Sequence, residues 1–272
     1  MNSNYIQITV ENISTQQSEI LIAQLSELGF EGFEEEENKL SAFIPEQAYN
    51  EAELHEIMLM HQLSFSKTTV AQKNWNEDWE KNFEPVSVDD FVAVRAHFHA
   101  PQKNVLHEII ITPKMSFGTG HHATTYLMMQ QMRSIDFTGK SVFDFGTGTG
   151  VLAILAEKLG AESIVAIDND EWSIDNAAEN IERNECKKIQ LQLSEAPVAN
   201  ERFEVILANI NKNIILQNLQ ALANGLAAES NLLLSGLLQQ DEADILLAAS
   251  AFNLKHIKTF QREKWICVWF VN

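Results

Sequence analysis

The chain reads as an α/β protein in two parts, a seven-stranded doubly wound, Rossmann-like sheet preceded by a small ferredoxin-like α/β sandwich. Three observations predict this. From Val142 onward, short apolar runs alternate with segments of helical period, the pattern of parallel strands joined by crossover helices. The chain closes on two strands, 254–260 and 266–271, with no helix between them, so a hairpin finishes the sheet. Residues 5–70 follow the order β-α-β-β-α-β of the sandwich.

In the first part, the alternating β-branched run 5–10 is a strand. Ile20, Leu21, Leu25 and Leu28 recur at helical spacing, which predicts a helix over 18–28 stopped by Gly29. Strands over 30–36 and 40–44 flank the acidic turn from Glu34 to Asn38, and Pro45 ends that hairpin. A helix over 48–62, with Leu54, Ile57 and Met58 on one face, and a strand over 65–70 complete a domain of residues 1–70, a recognition module by fold analogy. Trp75, Trp79 and Phe83 at i, i+4 and i+8 predict a connector helix over 71–83. Those aromatics either wall an active site or pin the helix to the core.

Residues 84–272 form the second domain. Strands over 91–95 and 108–111 open it, with His97 and His99 between them on one strand face. No third ligand accompanies that pair, so no metal site is predicted. A helix over 171–184, strands over 189–193 and 203–208, and a helix over 216–226 follow. A strand over 232–234 stopped by Ser235-Gly236 and a helix over 242–251 lead to the final hairpin.

Composition narrows the class. A length of 272 residues is ample for a large core. No apolar stretch approaches the ~20 residues of a membrane span, and Met1-Asn2-Ser3-Asn4 is too polar for a signal peptide. Cys186 and Cys267 form no CxxC, which indicates neither a disulfide framework nor a zinc site and fits a cytoplasmic enzyme. Nineteen basic against thirty-eight acidic residues give a net charge of −19, which disfavours direct DNA binding and suits a basic protein partner. The same acidity also serves solubility, so charge alone selects no function.

The chemistry concentrates in Asp144-Phe145-Gly146-Thr147-Gly148-Thr149-Gly150, where a strand passes through a tight turn into a helix. Glycines there let the backbone turn sharply and let a ligand lie against it. The next apolar run ends in Asp168, 22 residues after Gly146, where a second parallel strand presents a carboxylate to a ribose diol. An adenosine-containing cofactor is the reading. No lysine lies in the turn, so it is not a phosphate-cradling Walker loop. Asp144-Phe145-Gly146 matches the kinase triplet, but the accompanying kinase motifs are missing. Gly148-x-Gly150-x-x-Ala153 leaves NAD open. Asp144 tilts the choice toward S-adenosylmethionine, because a carboxylate repels a pyrophosphate and welcomes a sulfonium and an ammonium.

A second loop, Phe117-Gly118-Thr119-Gly120-His121-His122-Ala123-Thr124-Thr125, leads into an apolar helix from Tyr126. Two glycines followed by hydroxyl residues describe a loop that closes over a ligand and then caps a helix. His122 reads as a hydrogen-bonding residue of that loop.

These two motifs, followed by Ala208-Asn209-Ile210, occur together in the order seen in the bacterial PrmA family of ribosomal protein methyltransferases. The chain resembles that family over essentially its whole length, and the 117–125 loop is the most specific part of the resemblance. A terminal hairpin on the sheet is also the usual mark of class I methyltransferases, by fold analogy. The resemblance implies S-adenosylmethionine-dependent methylation of lysine ε-amines and an N-terminal α-amine of protein eleven of the large subunit. The small domain would grip that substrate. It also implies cofactor contacts from Thr125, Gly146, Asp168 and Asn209. Phe117, Gly118, Thr119, Gly120 and His122 of the loop, with Asp144 and Gly148 of the turn, join them as candidates. Asn211-Lys212-Asn213 replaces more apolar residues expected after Ala-Asn-Ile, a departure that bears on substrate range rather than on the cofactor.

Methyl transfer is an in-line displacement, so the enzyme supplies alignment and a neutral nucleophile. A free lysine of pKa about 10.4 costs roughly 4.6 kcal/mol to neutralise at pH 7. Desolvation beside a cationic sulfonium lowers that cost. Asn209 could orient the amine, or it could be a turn residue or helix cap. Asp168 could instead cap the helix at Glu171, and Thr125 could cap its own helix. No general base stands out. A methyltransferase acting on another protein or a small molecule, and a non-catalytic cofactor-binding scaffold, remain alternatives.

Overall fold

The computed structural model describes residues 4–36, 38–70, 83–114, 117–197 and 201–272. It divides into two compact units, Met1–Asn82 and Phe83–Asn272. The expected connector helix with Trp75 and Trp79 lies outside the described residues.

The first unit contains β1 (Tyr5–Glu11), α1 (Thr15–Glu27), β2 (Gly32–Glu36), β3 (Lys39–Pro45), α2 (Glu51–Met60) and β4 (Phe65–Val70). Its sheet has the order β2-β3-β1-β4, every pair antiparallel. Alternation along β1 sends Ile6, Ile8 and Val10 inward, where they pack with Leu21 and Leu25 of α1 and Leu54 and Met58 of α2. α2 is shorter than its apolar pattern because residues 46–48 form a 3-10 turn and the Asn50 side chain then accepts the Ala52 amide as the cap.

The second unit opens with β5 (Val86–Val88), β6 (Val92–Ala96) and β7 (His107–Ile111), a separate three-stranded sheet. β6 ends at Ala96, so His97 and His99 fall in the following turn and not on a strand face. The His99 Nδ1 accepts the Ala96 amide there (3.2 Å).

Next come α3 (Ala123–Met132), β8 (Ser141–Phe145), α4 (Val151–Lys158), β9 (Ser163–Asp168), α5 (Glu171–Arg183) and β10 (Ile189–Leu193). They are followed by β11 (Phe203–Asn209), α6 (Lys212–Asn224), β12 (Leu226–Leu238), α7 (Glu242–Ser250), β13 (Lys255–Arg262) and β14 (Trp265–Val271). The seven strands β8–β14 are ordered β10-β9-β8-β11-β12-β14-β13. All neighbours are parallel up to β12, and β14 runs antiparallel to both β12 and β13. The doubly wound sheet with its terminal hairpin is therefore as the sequence predicts.

One core lies on each face. Val142, Val205 and Leu207 join α3 and α4 on one side, while Phe143, Phe145, Ile206 and Ala208 join α6 and α7 on the other.

β12 does not stop at Ser235-Gly236 but runs through it. Its register against β14 shifts between Ser235 and Leu237, and Gly236 takes φ +84° at that bulge. A Cβ at Gly236 would strike the Ile210 backbone, so a bend that reads as a strand end in sequence is a close backbone approach instead.

Phe143 is 1% exposed and stacks 5.1 Å from Phe203 and 6.1 Å from Phe145. Phe143→Ala is expected to lower unfolding stability by about 3 to 5 kcal/mol, read from urea denaturation.

Candidate active site

The strand order reverses between β8 and β11, and in open α/β sheets the ligand crevice lies at the carboxyl ends of the strands flanking such a reversal. The residues with chemistry converge there. Parity places Asp144 with Val142, and Asn209 with Val205 and Leu207, on the face covered by α3 and α4.

Asp144 is fully buried beneath the glycine turn, and its Oδ2 accepts the Thr147 hydroxyl (2.7 Å). Its Oδ1 has no hydrogen-bond partner. Burial pushes the carboxyl up to about 7, and negative Asp168 adds to this. Thr147 and the Ala153 amide, which faces the carboxyl without meeting hydrogen-bond geometry, pull the other way.

Gly148 has φ +55°, and a Cβ there would run into the Phe117 carbonyl. The neighbouring Thr149 amide donates to that carbonyl (3.0 Å), and the Thr149 hydroxyl donates to the Gly118 carbonyl (2.7 Å). Turn and loop are thus held main chain to main chain.

Asp168 ends β9. Its Oδ2 accepts the Gly148 amide (2.9 Å) and its Oδ1 the Asp170 amide (3.2 Å). It does not cap α5. Asp170 does, accepting the Trp172 and Ser173 amides.

The cap of α3 is His122, not a threonine. Its Nδ1 accepts the Thr124 amide (3.3 Å) and lies 2.7 Å from the Thr124 hydroxyl. Burial lowers the His122 pKa, so the ring is neutral at pH 7. With Nδ1 accepting, the ring proton sits on Nε2. Thr125 lies inside the first turn of α3, where its hydroxyl accepts the Asn209 side-chain amide (3.2 Å). Asn209 is not a cap either, since Asn211 caps α6. Asn209 is 6% exposed, and its Oδ1 has no partner.

A cleft of about 730 Å³ opens over these groups. Phe117, His122, Gly146, Gly148, Asp168 and Asn209 line it. Gly118, Thr125 and Asp144 stand behind that surface as its supports. Thr119 and Gly120 face elsewhere. The Thr119 hydroxyl meets His121, whose Nε2 reaches the Glu84 carbonyl, and Gly120 packs on Val86 and Val94.

Phe117, His122 and Trp265 form an aromatic wall, with ring centroids 5.2 and 4.6 Å apart in sequence along it. No lysine or arginine is among the described residues lining the cleft, while Asp168 and Glu195 both contribute to it. Such a surface suits a phosphate-free, cationic adenosyl ligand better than a pyrophosphate. Among the described residues no group of three His, Cys, Asp or Glu could hold a metal ion.

The sequence profile of the ribosomal protein L11 methyltransferases (PrmA) matches residues 3–272. The chain belongs to this family. It is 39% identical over 260 residues to the ribosomal protein L11 methyltransferase of Porphyromonas gingivalis, covering 93% of this chain and 90% of that protein. The Chlorobaculum tepidum protein of the same name is 37% identical over 276 residues, covering 97% and 95%. Among solved structures, the ribosomal protein L11 methylase of Lactobacillus delbrueckii subsp. bulgaricus superposes with a TM-score of 0.64 at 27% identity, over 69% of this chain and 98% of that one. A Pyrococcus furiosus methyltransferase at 17% identity and TM-score 0.52, covering 60% and 88%, shares the fold.

Several cleft residues escape a reading of the family motifs. Trp265 begins the last strand, with nothing local to mark it. Glu195 follows the end of β10 much as Asp168 ends β9, and that repeated placement of an acid beyond a parallel strand is a signal the sequence does contain.

A carboxyl near pKa 7 when folded, against 3.8 when free, binds its proton more tightly in the folded chain. The contribution of Asp144 to stability therefore falls as pH rises from about 4 to about 7 and is level above that. Asp144→Asn is expected to remove this slope. Urea midpoints at about pH 5 and about pH 8 check it, with the wild type losing ground to the variant across the interval.

Proposed function

We propose that this chain transfers methyl groups from S-adenosylmethionine to amines of ribosomal protein L11, the substrate named for its relatives. The observation that carries the reading is the Asn209 Oδ1, a buried and unpartnered acceptor at the edge of a cleft that suits an adenosyl cation. S-adenosylmethionine, when bound, supplies an electrophilic methyl group on a sulfonium.

The remaining tasks fall to the chain. Gly146 and Gly148 offer bare backbone for the cofactor to lie against, and Asp168, fixed through the Gly148 amide, presents its carboxylate to a ribose diol. Thr125 holds the Asn209 side-chain NH₂, which leaves the oxygen to accept an N–H of the incoming amine. An aromatic wall of Phe117, His122 and Trp265 would strip water from an amine held against it and so disfavour its protonated form, while its ring faces tolerate the sulfonium.

The first unit supplies a docking surface in this reading. Its 82 residues hold fifteen acidic side chains against four lysines, a bias that attracts a basic protein and speeds its encounter. On this reading the enzyme works in the cytoplasm, where its ribosomal substrate is made.

The test uses S-adenosylmethionine labelled in the methyl group, with purified ribosomal protein L11 and a lysine-free version as acceptors. Label on the normal acceptor, reduced to the N-terminal amine in the lysine-free one, is the expected result. Cofactor binding without transfer to that protein, free or in ribosomes, overturns the substrate assignment. In the same assay Asn209→Ala is expected to lower kcat/KM by about tenfold to a hundredfold through lost alignment of the amine.

A further inference from the structure

Asn176, Asn180 and Asn184 recur every fourth residue along α5 and its C-cap, so they share one helix face. That face lies along the edge of β7 that has no strand neighbour. Asn184 exchanges both bonds with Ile110, accepting its amide (3.0 Å) and donating to its carbonyl (2.6 Å). Two residues on, the Thr112 amide donates to the Asn180 Oδ1 (2.7 Å), and the Asn176 side chain donates to the Thr112 carbonyl (3.1 Å). The asparagines replace a missing strand and satisfy the edge.

Asn180 does more than its neighbours. It is fully buried, and its Nδ2 donates to the carbonyl of Thr149 in the glycine turn (2.9 Å). Thr149 is also the residue that holds Phe117 and Gly118 through its amide and hydroxyl. Thr112 is therefore held by Asn180, Phe117 and Gly118 are held by Thr149, and Asn180 joins those two anchor points. Glu179 reinforces the start. It accepts the Thr112 hydroxyl (2.6 Å) and pairs with Lys114 (2.8 Å), contacts that with Arg183 draw its carboxyl down to about 2. Neither Asn180 nor Thr112 lines the cleft, so both act only through what they hold.

We propose that Asn180 is a positioning residue: by tying Thr112 to Thr149 it sets the 117–122 loop over the cleft before any ligand arrives. The inference rests on reading that cleft as the cofactor site. Preorganisation of this kind shows in ligand affinity, because a loop already in place need not be ordered on binding.

The experiment compares the full-length wild type with Asn180→Ala and Asn184→Ala. Hydrogen exchange of residues 117–122 is measured without ligand, and S-adenosylmethionine affinity by calorimetry. Asn180→Ala is expected to speed exchange at 117–122 and weaken cofactor binding about tenfold, with kcat at saturating cofactor within about twofold of the wild type. Asn184→Ala, which loses the bonds to Ile110 and to the Asn180 main-chain carbonyl but leaves the Asn180 side chain in place, is expected to lower the unfolding midpoint and leave loop exchange and affinity unchanged. Wild-type exchange and affinity in folded Asn180→Ala, or equal effects of the two variants, overturn the proposal. Should Asn180→Ala not fold, Asn180→Leu decides, because it fills nearly the same volume while removing both the bond to Thr112 and the bond to Thr149. Faster loop exchange in that variant supports the proposal, and unchanged exchange refutes it. A wild type that binds no S-adenosylmethionine removes the cofactor reading, while the exchange comparison still decides the role of Asn180.

Discussion

Backbone contact between two glycine-bearing loops governs the arrangement of this cleft. The Phe117 carbonyl lies where a Cβ at position 148 would lie, and the Thr149 amide closes the contact. With it, the start of the 117–125 loop is fixed to the end of β8. Phe117 and His122 then stand over the cleft, and α3 is aimed so that Thr125 meets Asn209. Side chains bulkier than hydrogen at 148 would part the loops, so the aromatic wall and the amide pair both depend on one sterically exclusive approach.

Two carboxylates a few ångströms of backbone from that contact show how placement divides their roles. Asp168 has an amide donor on each oxygen and faces the cleft. Asp144, in the turn's underside, has a single hydroxyl and an orphaned oxygen, and burial favours its protonated form. One presents a half-buried carboxylate to the cleft and the other is a buried support whose protonated form is favoured, although each stands at the carboxyl end of an apolar strand. This contrast also revises the reason for choosing among cofactors. Asp144 does not line the cleft, and the acidity of the cleft surface comes from Asp168 and Glu195.

Much of this was legible in the sequence, for identifiable physical reasons. Strands β8, β9 and β11 are buried on both faces and bounded by turn residues, so their apolar runs stand out, and the run 164–167 with its spacing from the glycine turn places Asp168 at the end of β9. The glycine turn and the 117–125 loop carry their backbone demands in their composition. Other features depend on partners distant along the chain. The β5–β7 sheet includes a strand of three residues, and its free edge is completed by asparagines more than sixty positions away. Capping of α3 by an imidazole defies the usual preference for hydroxyls and carboxylates, and it left Thr125 free for Asn209. Ser235-Gly236 has the composition of a strand end, yet β14 pairs on both sides of the bulge.

The 117–125 loop is two-sided. Phe117, Gly118 and His122 turn toward the cleft and the glycine turn, whereas Thr119, Gly120 and His121 bind to Glu84 and the strands β5 and β6. Its shape is thus jointly owned by two sheets and by the polar face of α5. The loop is consequently not a portable cassette. Transplanted by itself onto another doubly wound sheet, it would keep its sequence and lose its conformation. The smallest unit that could be recombined between proteins with its geometry intact runs from β5 through α3 and must bring the glycine turn and the asparagines of α5 with it.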